Sequence, residues 1–460
     1  MNTRLEKSAE FCTMKFFAFN KVFLRLFCVV LLVSGFSVSA QQLQDSIPLR
    51  LTEAWEYAAQ YSKEIKLKQL EEKIGAEDVL DAKNQRLPEL STHASYGKLS
   101  NIPVFTNGIR EKADFIPLED HSTYGAGVEA YFNIYNGGKT NIHIDQAKTK
   151  QRLINYLAEE SRDQIKYEVA SAYLSLQRGL LFEKLIAKNI YSNQELLDQI
   201  TKLYENGVVL KSDLLRAKLQ LSKQQTQLLE VTNNAKLAHQ HLNILMGFSE
   251  ETPVKPIDTV KVELIQEDQD YAYYLNEAKS APLSKAAETR VTLSELEEQD
   301  LKAGKLPKLG LFGEYMYSYP QIRLYPYETA PYLLGIVGIR ASYDISALYN
   351  DKHKELAAAL EVERQEVEKQ QVDDDLRKGV KAAYQDYHED LQNIEVALMS
   401  IEQAEENYRI VRQTYFNQLS LLTDLLDADN QLLQARFELV NSKIAARLHY
   451  YQLLKITGNL

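Results

Sequence analysis

The hydrophobic and polar positions fall into two kinds of pattern. Over 214–245, leucine, isoleucine and alanine recur at three- and four-residue spacing, as in Leu214, Leu215, Leu219, Leu221, Leu228 and Leu229. That spacing predicts amphipathic helix. Helices of this kind are expected over about 211–246 and 422–457, each preceded by a far longer one, over about 139–203 and 351–414. Two more are expected over about 52–86 and 270–305, each halting before a Leu-Pro pair, Leu87-Pro88 and Leu306-Pro307. Proline disfavours helix in the residue before it. Between these helices the period changes to two. Tyr124, Ala126, Val128, Ala130, Phe132 and Ile134 alternate with Gly125, Gly127, Glu129, Tyr131 and Asn133. Segments 309–319 and 335–345 alternate in the same way, and 91–99 does so poorly. Four strands with one apolar face follow.

The chain is written twice. Tyr204-Glu205-Asn206-Gly207 and Asp213-Leu214-Leu215-Arg216-Ala217 return as Tyr415-Phe416-Asn417-Gln418 and Asp424-Leu425-Leu426-Asp427-Ala428, 211 residues later. Phe132-Asn133-Ile134 returns at the same offset as Tyr343-Asp344-Ile345. The Leu-Pro pairs are 219 apart, so the offset changes only across 100–122 and 320–332, segments holding proline and Asn-Gly turn residues. The chain therefore divides into a first repeat at 41–247, a connecting segment at 248–269 and a second repeat at 270–460. Each repeat runs helix, strand pair (about 88–135 and 307–345), long helix, short break (204–210 and 415–421), helix.

The long helices carry architectural information. About 65 residues at about 1.5 Å each make a rod near 100 Å, which no compact globule needs. Such a rod belongs to a coiled coil or a tubular assembly. Small residues, among them Ala170, Ala172, Ala217, Ala235, Ala238, Ala428 and Ala435, permit close helix approach. The strands suit a lipid-facing sheet with a wet inner face, though an ordinary solvated sheet has the same pattern. Four strands cannot close a useful barrel, so chains must pool them. Three copies would give 12 strands around an open pore, whereas the 8 from two copies would be filled by side chains.

Composition narrows the class. Residues 1–40 hold a basic region (Arg4, Lys7, Lys15, Lys21, Arg25), an apolar run from Leu26 to Val38 and a small-residue cleavage pattern at Val38-Ser39-Ala40. They read as an export signal, with Met1 or Met14 as its start. Both cysteines, Cys12 and Cys28, lie inside it, which excludes a disulfide scaffold or a cysteine metal site beyond residue 40. The 53 basic and 64 acidic residues give a net charge of -11, so no nucleic-acid partner is expected. No phosphate-binding glycine loop occurs, and the 8 histidines are scattered. Neither a catalytic residue, nor a metal, nor a cofactor is expected. The competing class is a periplasmic coiled-coil adaptor or structural protein.

The ordered set of marks resembles the TolC family of outer-membrane efflux proteins. It comprises Leu51-Thr52-Glu53-Ala54, the two Leu-Pro pairs, the duplicated plan, and Phe132-Asn133-Ile134-Tyr135-Asn136-Gly137-Gly138. Gly137 and Gly138 would form the strand-to-helix junction; the second copy, Tyr343 to Asp351, lacks both glycines. The resemblance implies a homotrimer whose 12-stranded barrel spans the outer membrane, amid its lipid, and continues as a periplasmic helical tunnel. It implies an exit channel of a tripartite efflux or type I secretion system. Its partners would be a periplasmic adaptor and an inner-membrane pump of RND, ABC or MFS type. The helix breaks would be periplasmic tips, with Tyr204, Gly207, Asp213, Arg216 and Asn417 as adaptor contacts.

Asp424 and Asp427 stand at i and i+3 and share a helix face. Across three copies they would form two carboxylate rings that concentrate cations. With Tyr415 they match the family's entrance constriction. The bland alternative is that they are solvated acids at a helix N-terminus, where negative charge is favoured. Glu129, Arg340 and Asp344 fall on the strand faces assigned to the barrel lumen.

Overall fold

The computed structural model describes residues 46–116, 118, 121–263, 269–322 and 326–460, so the export signal lies outside the described residues. The elements are β1 (Ile47–Leu49), α1 (Leu51–Tyr61), α2 (Lys63–Asn84), β2 (Glu89–Lys98), β3 (Pro103–Val104), β4 (Asp114–Phe115), β5 (Ser122–Tyr135), α3 (Lys139–Glu205) and α4 (Lys211–Leu245). There follow β6 (Val254–Pro256), α5 (Tyr271–Ala278), α6 (Pro282–Ala303), β7 (Lys308–Tyr319), β8 (Tyr332–Ser342), α7 (Ala347–Asn350), α8 (Lys352–Phe416) and α9 (Leu422–Thr457). Apart from Ile47, all belong to the unit Pro48–Leu460.

The two shorter helices expected at 52–86 and 270–305 are each broken in two. Ser62 separates α1 from α2, with an extended ψ of 128°. Serine favours the residue before a helix, because its side chain competes with helical backbone bonding. In the second copy Pro282 takes the first position of α6 and holds Ala281 extended, with ψ 151°.

The long helices α3 and α8 have 67 and 65 residues, each a rod of about 100 Å. Their apolar stripes are narrow, and the buried residues gather in separate clusters along the rod. One cluster joins Val169, Tyr173, Leu174, Leu242, Met246 and Tyr451. Another joins Ile186, Leu433 and Phe437, where the Phe182 and Phe437 rings lie 4.4 Å apart. A third fills the tip. Small residues set the spacing: a Cβ on Gly179 of α3 would stand 2.9 Å from that of Ala235 on α4.

The four main strands form one antiparallel sheet in the order β2-β5-β7-β8. Its register separates the faces. Leu90, Ala130, Gly313 and Val337 make one row, and Ala94, Ala126, Tyr317 and Leu333 another, on the same face. Val337 is 87% exposed and Leu90 71%. The opposite face carries Ser91, Glu129, Glu314 and Ile336 in one row, with Asn133, Gly310 and Arg340 in another. Close packing on that face needs glycine at one point: a Cβ on Gly310 would sit 2.5 Å from the Tyr131 hydroxyl. β2 and β8 are edge strands with their outer ladders open.

The connecting segment is a strap. Tyr173 on α3 has its hydroxyl 2.9 Å from both the Leu49 carbonyl and the Asp258 carboxylate. Asp258 also accepts the Leu51 N–H at the start of α1, at 2.9 Å. Glu263 then reaches the second repeat: its carbonyl accepts from Tyr387 at 2.6 Å, and its carboxylate accepts from Arg447 at 3.1 and 3.2 Å. Arg447 is 4% exposed, so this ion pair binds the strap to α9 inside the bundle.

Candidate functional site

Two regions bring chemistry-bearing residues together: the far end of the long helices and the polar face of the sheet.

At the far end, α3 and α8 close with the same backbone. Gly207 adopts φ +70°, its N–H donates to the Tyr204 carbonyl at 2.9 Å, and Val208 N–H donates to Leu203 at 2.8 Å. In the second copy Gln418 adopts φ +62°, with Gln418 N–H on Tyr415 at 2.8 Å and Leu419 N–H on Thr414 at 2.9 Å. This left-handed cap satisfies the last helical carbonyls and suits glycine. Gln418 adopts it with a Cβ, at a cost of about 1 kcal/mol. Gln418→Gly should therefore raise stability by about 0.5–1 kcal/mol, read as a higher midpoint in chemical unfolding.

Beyond the caps, Leu214, Ala217, Tyr415, Leu422 and Leu425 join Leu196, Leu197 and Ile200 in the tip cluster. Tyr415 is 7% exposed and its hydroxyl has no hydrogen-bond partner among the described residues. Burial and the negative charge of Asp213 push its pKa up. Its repeat mate Tyr204 is 37% exposed. Asp213 is half-buried, and Arg216 and Asn417 are exposed. Asp424 and Asp427 are both exposed. The Asp424 carboxylate accepts the Leu421 N–H at 3.1 Å, capping α9, and the Asp427 carboxylate accepts from Gln431 at 2.7 Å. The two acids thus share an open face, whereas Tyr415 belongs to the core beneath.

Sequence reasoning missed a third acid of the same helix. Asp429 is 3% exposed and sits among Asn189, Asn193 and Gln224 of the first repeat. The Asp-Ala-Asp spacing at 427–429 carries the acid, but nothing in it says which carboxylate turns inward.

On the sheet, Glu129 and Glu314 are direct cross-strand partners. Glu89, Ser91, Tyr131, Phe312 and Arg340 line the same concave pocket, of about 250 Å³. The Arg340 guanidinium lies 4.6 Å from the Phe312 ring centre, and His93 lies 3.8 Å from Glu129. Glu89 and His93 were not read from the sequence, and alternation puts Glu314 on the polar face of its strand without a partner; the register sets it opposite Glu129. Asp344 is a correction. It stands two residues past β8, which ends at Ser342 rather than 345. Its carboxylate accepts from the Ser346 N–H at 3.0 Å and hydroxyl at 2.6 Å, and these bonds hold its pKa below the usual carboxylate range. Aspartate favours such turns over continued strand.

Gly137 and Gly138 adopt φ +74° and +86° between β5 and α3. Asn136 braces the turn through the Thr140 hydroxyl at 2.9 Å, and Lys139 reaches Asp300 of α6 at 3.1 Å. In the second copy the Asp344–Ser346 turn and α7 replace the glycines.

No helix among the described residues is long and apolar enough to cross a membrane, and no group of three or more His, Cys, Asp or Glu side chains among them could hold a metal ion. The family model of outer membrane efflux proteins matches residues 54–248, the span of the first repeat. The first repeat thus matches that family. Solved structures share its fold over both repeats. The outer-membrane channel OprN is 16% identical, over 89% of this chain and 90% of its own, with TM-score 0.75. VceC from Vibrio cholerae is 16% identical, over 89% and 96%, with TM-score 0.75. CmeC from Campylobacter jejuni is 16% identical, over 89% and 85%, with TM-score 0.72. No curated protein sequence matches. The chain thus has the fold of outer-membrane channels over both repeats.

Proposed function

We propose that three copies close a 12-stranded barrel in the outer membrane, and that their long helices continue it as a periplasmic tunnel. The channel then serves as the exit duct of a tripartite efflux or type I secretion system. A periplasmic adaptor docks at the tips, around Tyr204, Gly207, Asp213, Arg216 and Asn417, and an inner-membrane pump drives transport. The observation that carries this reading is the four-stranded sheet. One face of its paired rows is apolar, its two edges are open, and it is joined to helices about 100 Å long. In lipid an open edge leaves backbone groups unsatisfied, so copies must complete one another. Twelve strands leave an open lumen, and eight do not.

In such a barrel the face of Val337 and Leu90 meets lipid, and the face of Glu129, Glu314 and Arg340 meets water. Val337→Lys should therefore cost about 2–4 kcal/mol if it lies near mid-membrane, whereas Glu129→Lys should fold normally and change ion selectivity. Heat-modified gel mobility of the assembled barrel separates the two outcomes. Equal tolerance at both positions would count against a lipid-facing sheet.

At the other end, Asp424 and Asp427 from three copies form two carboxylate rings at the entrance, with Tyr415 packed behind them. Rings of like charge at a constriction favour cations and exclude anions. The direct test of the whole reading is conductance in a planar bilayer, together with the mass of the detergent-extracted assembly. A dimer, or a well-folded protein without conductance, would overturn it.

A further inference from the structure

The buried carboxylate of Asp429 lies outside everything assigned above. It is 3% exposed, and its surroundings come from the other repeat. Asn189 Nδ2 donates to one carboxylate oxygen at 2.9 Å, and Asn193 Nδ2 to the other at 2.7 Å. Asn193 is also bonded to Gln224 Oε1 at 3.1 Å, and Gln224 Nε2 in turn donates to Asn189 Oδ1. Asn189 and Asn193 belong to α3 and Gln224 to α4, so one carboxylate of α9 is held by amides from two helices of the first repeat. Arg436, a basic side chain about two turns on, pairs with Glu405 at 2.8 Å. Asp429 is therefore stabilised chiefly by amide donors.

Burying a carboxylate is costly, and a well-packed apolar residue would stabilise the helices more. What a buried polar cluster supplies is a unique rotational and axial register. Leucine stripes tolerate a small rotation or slide, but a carboxylate bound by two amides does not, because any rotation leaves donors and acceptor unpaired in a dry site. The repeat mate of Asp429 in α4 is Lys218, which is exposed, so only the second copy is held this way.

The position on the helix gives the cluster its meaning. At about 100° per residue, Asp429 lies about 140° from Asp424 on one side and about 160° from Asp427 on the other. It occupies the face of α9 opposite the two exposed acids. We infer that Asp429 is a positioning residue: by anchoring one face of α9 to α3 and α4, it sets the helix rotation that presents Asp424 and Asp427 on the other. That these two acids then face the pore rests on the constriction reading above; the fixed rotation does not.

The test uses the assembled full-length protein. The chain has no cysteine after Cys28, so Asp427→Cys accepts a single nitroxide per copy in the mature protein. Pulsed electron resonance then reads the distances between labels across the assembly. Asp429→Ala, and the near-isosteric Asp429→Asn as a variant that preserves shape, should broaden the label distances. In channels that keep Asp427, either change should shift the reversal potential toward zero. Exchanging the partners, Asn193→Asp with Asp429→Asn, restores a carboxylate–amide link between the same helices and should narrow the distances again relative to either single change. Unchanged distances in both Asp429 variants would overturn the inference, as would an exchange that fails to restore them. If Asp424→Ala/Asp427→Ala leaves conductance untouched while Asp429→Ala broadens the distances, the constriction reading fails and the positioning role stands.

Discussion

Replacing Asp424 and Asp427 together by alanine should raise single-channel conductance several-fold and remove the preference for cations. In the proposed trimer the change would delete six carboxylates from the entrance constriction, where their field would be least screened by water. Both side chains are exposed and held by local bonds, Asp424 by Leu421 N–H and the Thr423 hydroxyl and Asp427 by Gln431. Deleting them therefore leaves the tip cluster intact. Loss of the Asp424 cap costs about 1 kcal/mol of helix stability, too little to unfold a tip built on Leu214, Leu422 and Leu425. The paired Asp424→Asn/Asp427→Asn variant separates charge from capping, since an amide oxygen still accepts the Leu421 N–H. If charge sets the constriction, both pairs alter selectivity alike. If only the alanine pair has an effect, the two acids are caps.

Gly137→Val should abolish assembled channel. Gly137 adopts φ +74°, and a Cβ there would lie 2.5 Å from the Ala303 carbonyl oxygen and 2.9 Å from the Leu306 Cβ. The first contact is with backbone, so no side-chain rotation relieves it. The left-handed conformation costs about 1–2 kcal/mol for any side chain, and the overlap adds more. A total of about 4 kcal/mol or more falls on the corner that turns β5 into α3, a large part of a typical folding free energy. Gly138→Val is the informative companion. Gly138 has φ +86° but no atom within 4 Å of a built Cβ, so it bears only the conformational cost. Outer-membrane yield and trimer content on unboiled gels should fall to background for the first variant and only partly for the second.

The strands show where sequence reading ends. Alternation along 124–134 reveals two faces within one strand because side chains point alternately up and down. It does not say which residue of another strand lies opposite. The Glu129–Glu314 pair depends on the register of β5 against β7, segments about 185 residues apart in the chain. Like charges facing each other are unfavourable, so no pairing rule would have proposed them. The split of the two shorter helices was more accessible. Pro282 marks the second break plainly, whereas Ser62 is one polar residue in a helix-forming run.

By itself the sequence determined the repeat, the long helices and the alternating strands, because periodicity, proline and glycine act within a few residues of themselves. It brought Asp424 and Asp427 to one face for the same reason. Only the tertiary structure decided that Asp429 turns inward, that Tyr415 is core, and that Glu263 and Asp258 strap the bundle. Those outcomes depend on partners far away along the chain: Asn193 is 236 residues from Asp429, and Arg447 is 184 from Glu263. A carboxylate on a helix is exposed or buried according to which helices pack beside it, and helical periodicity holds no information about neighbours.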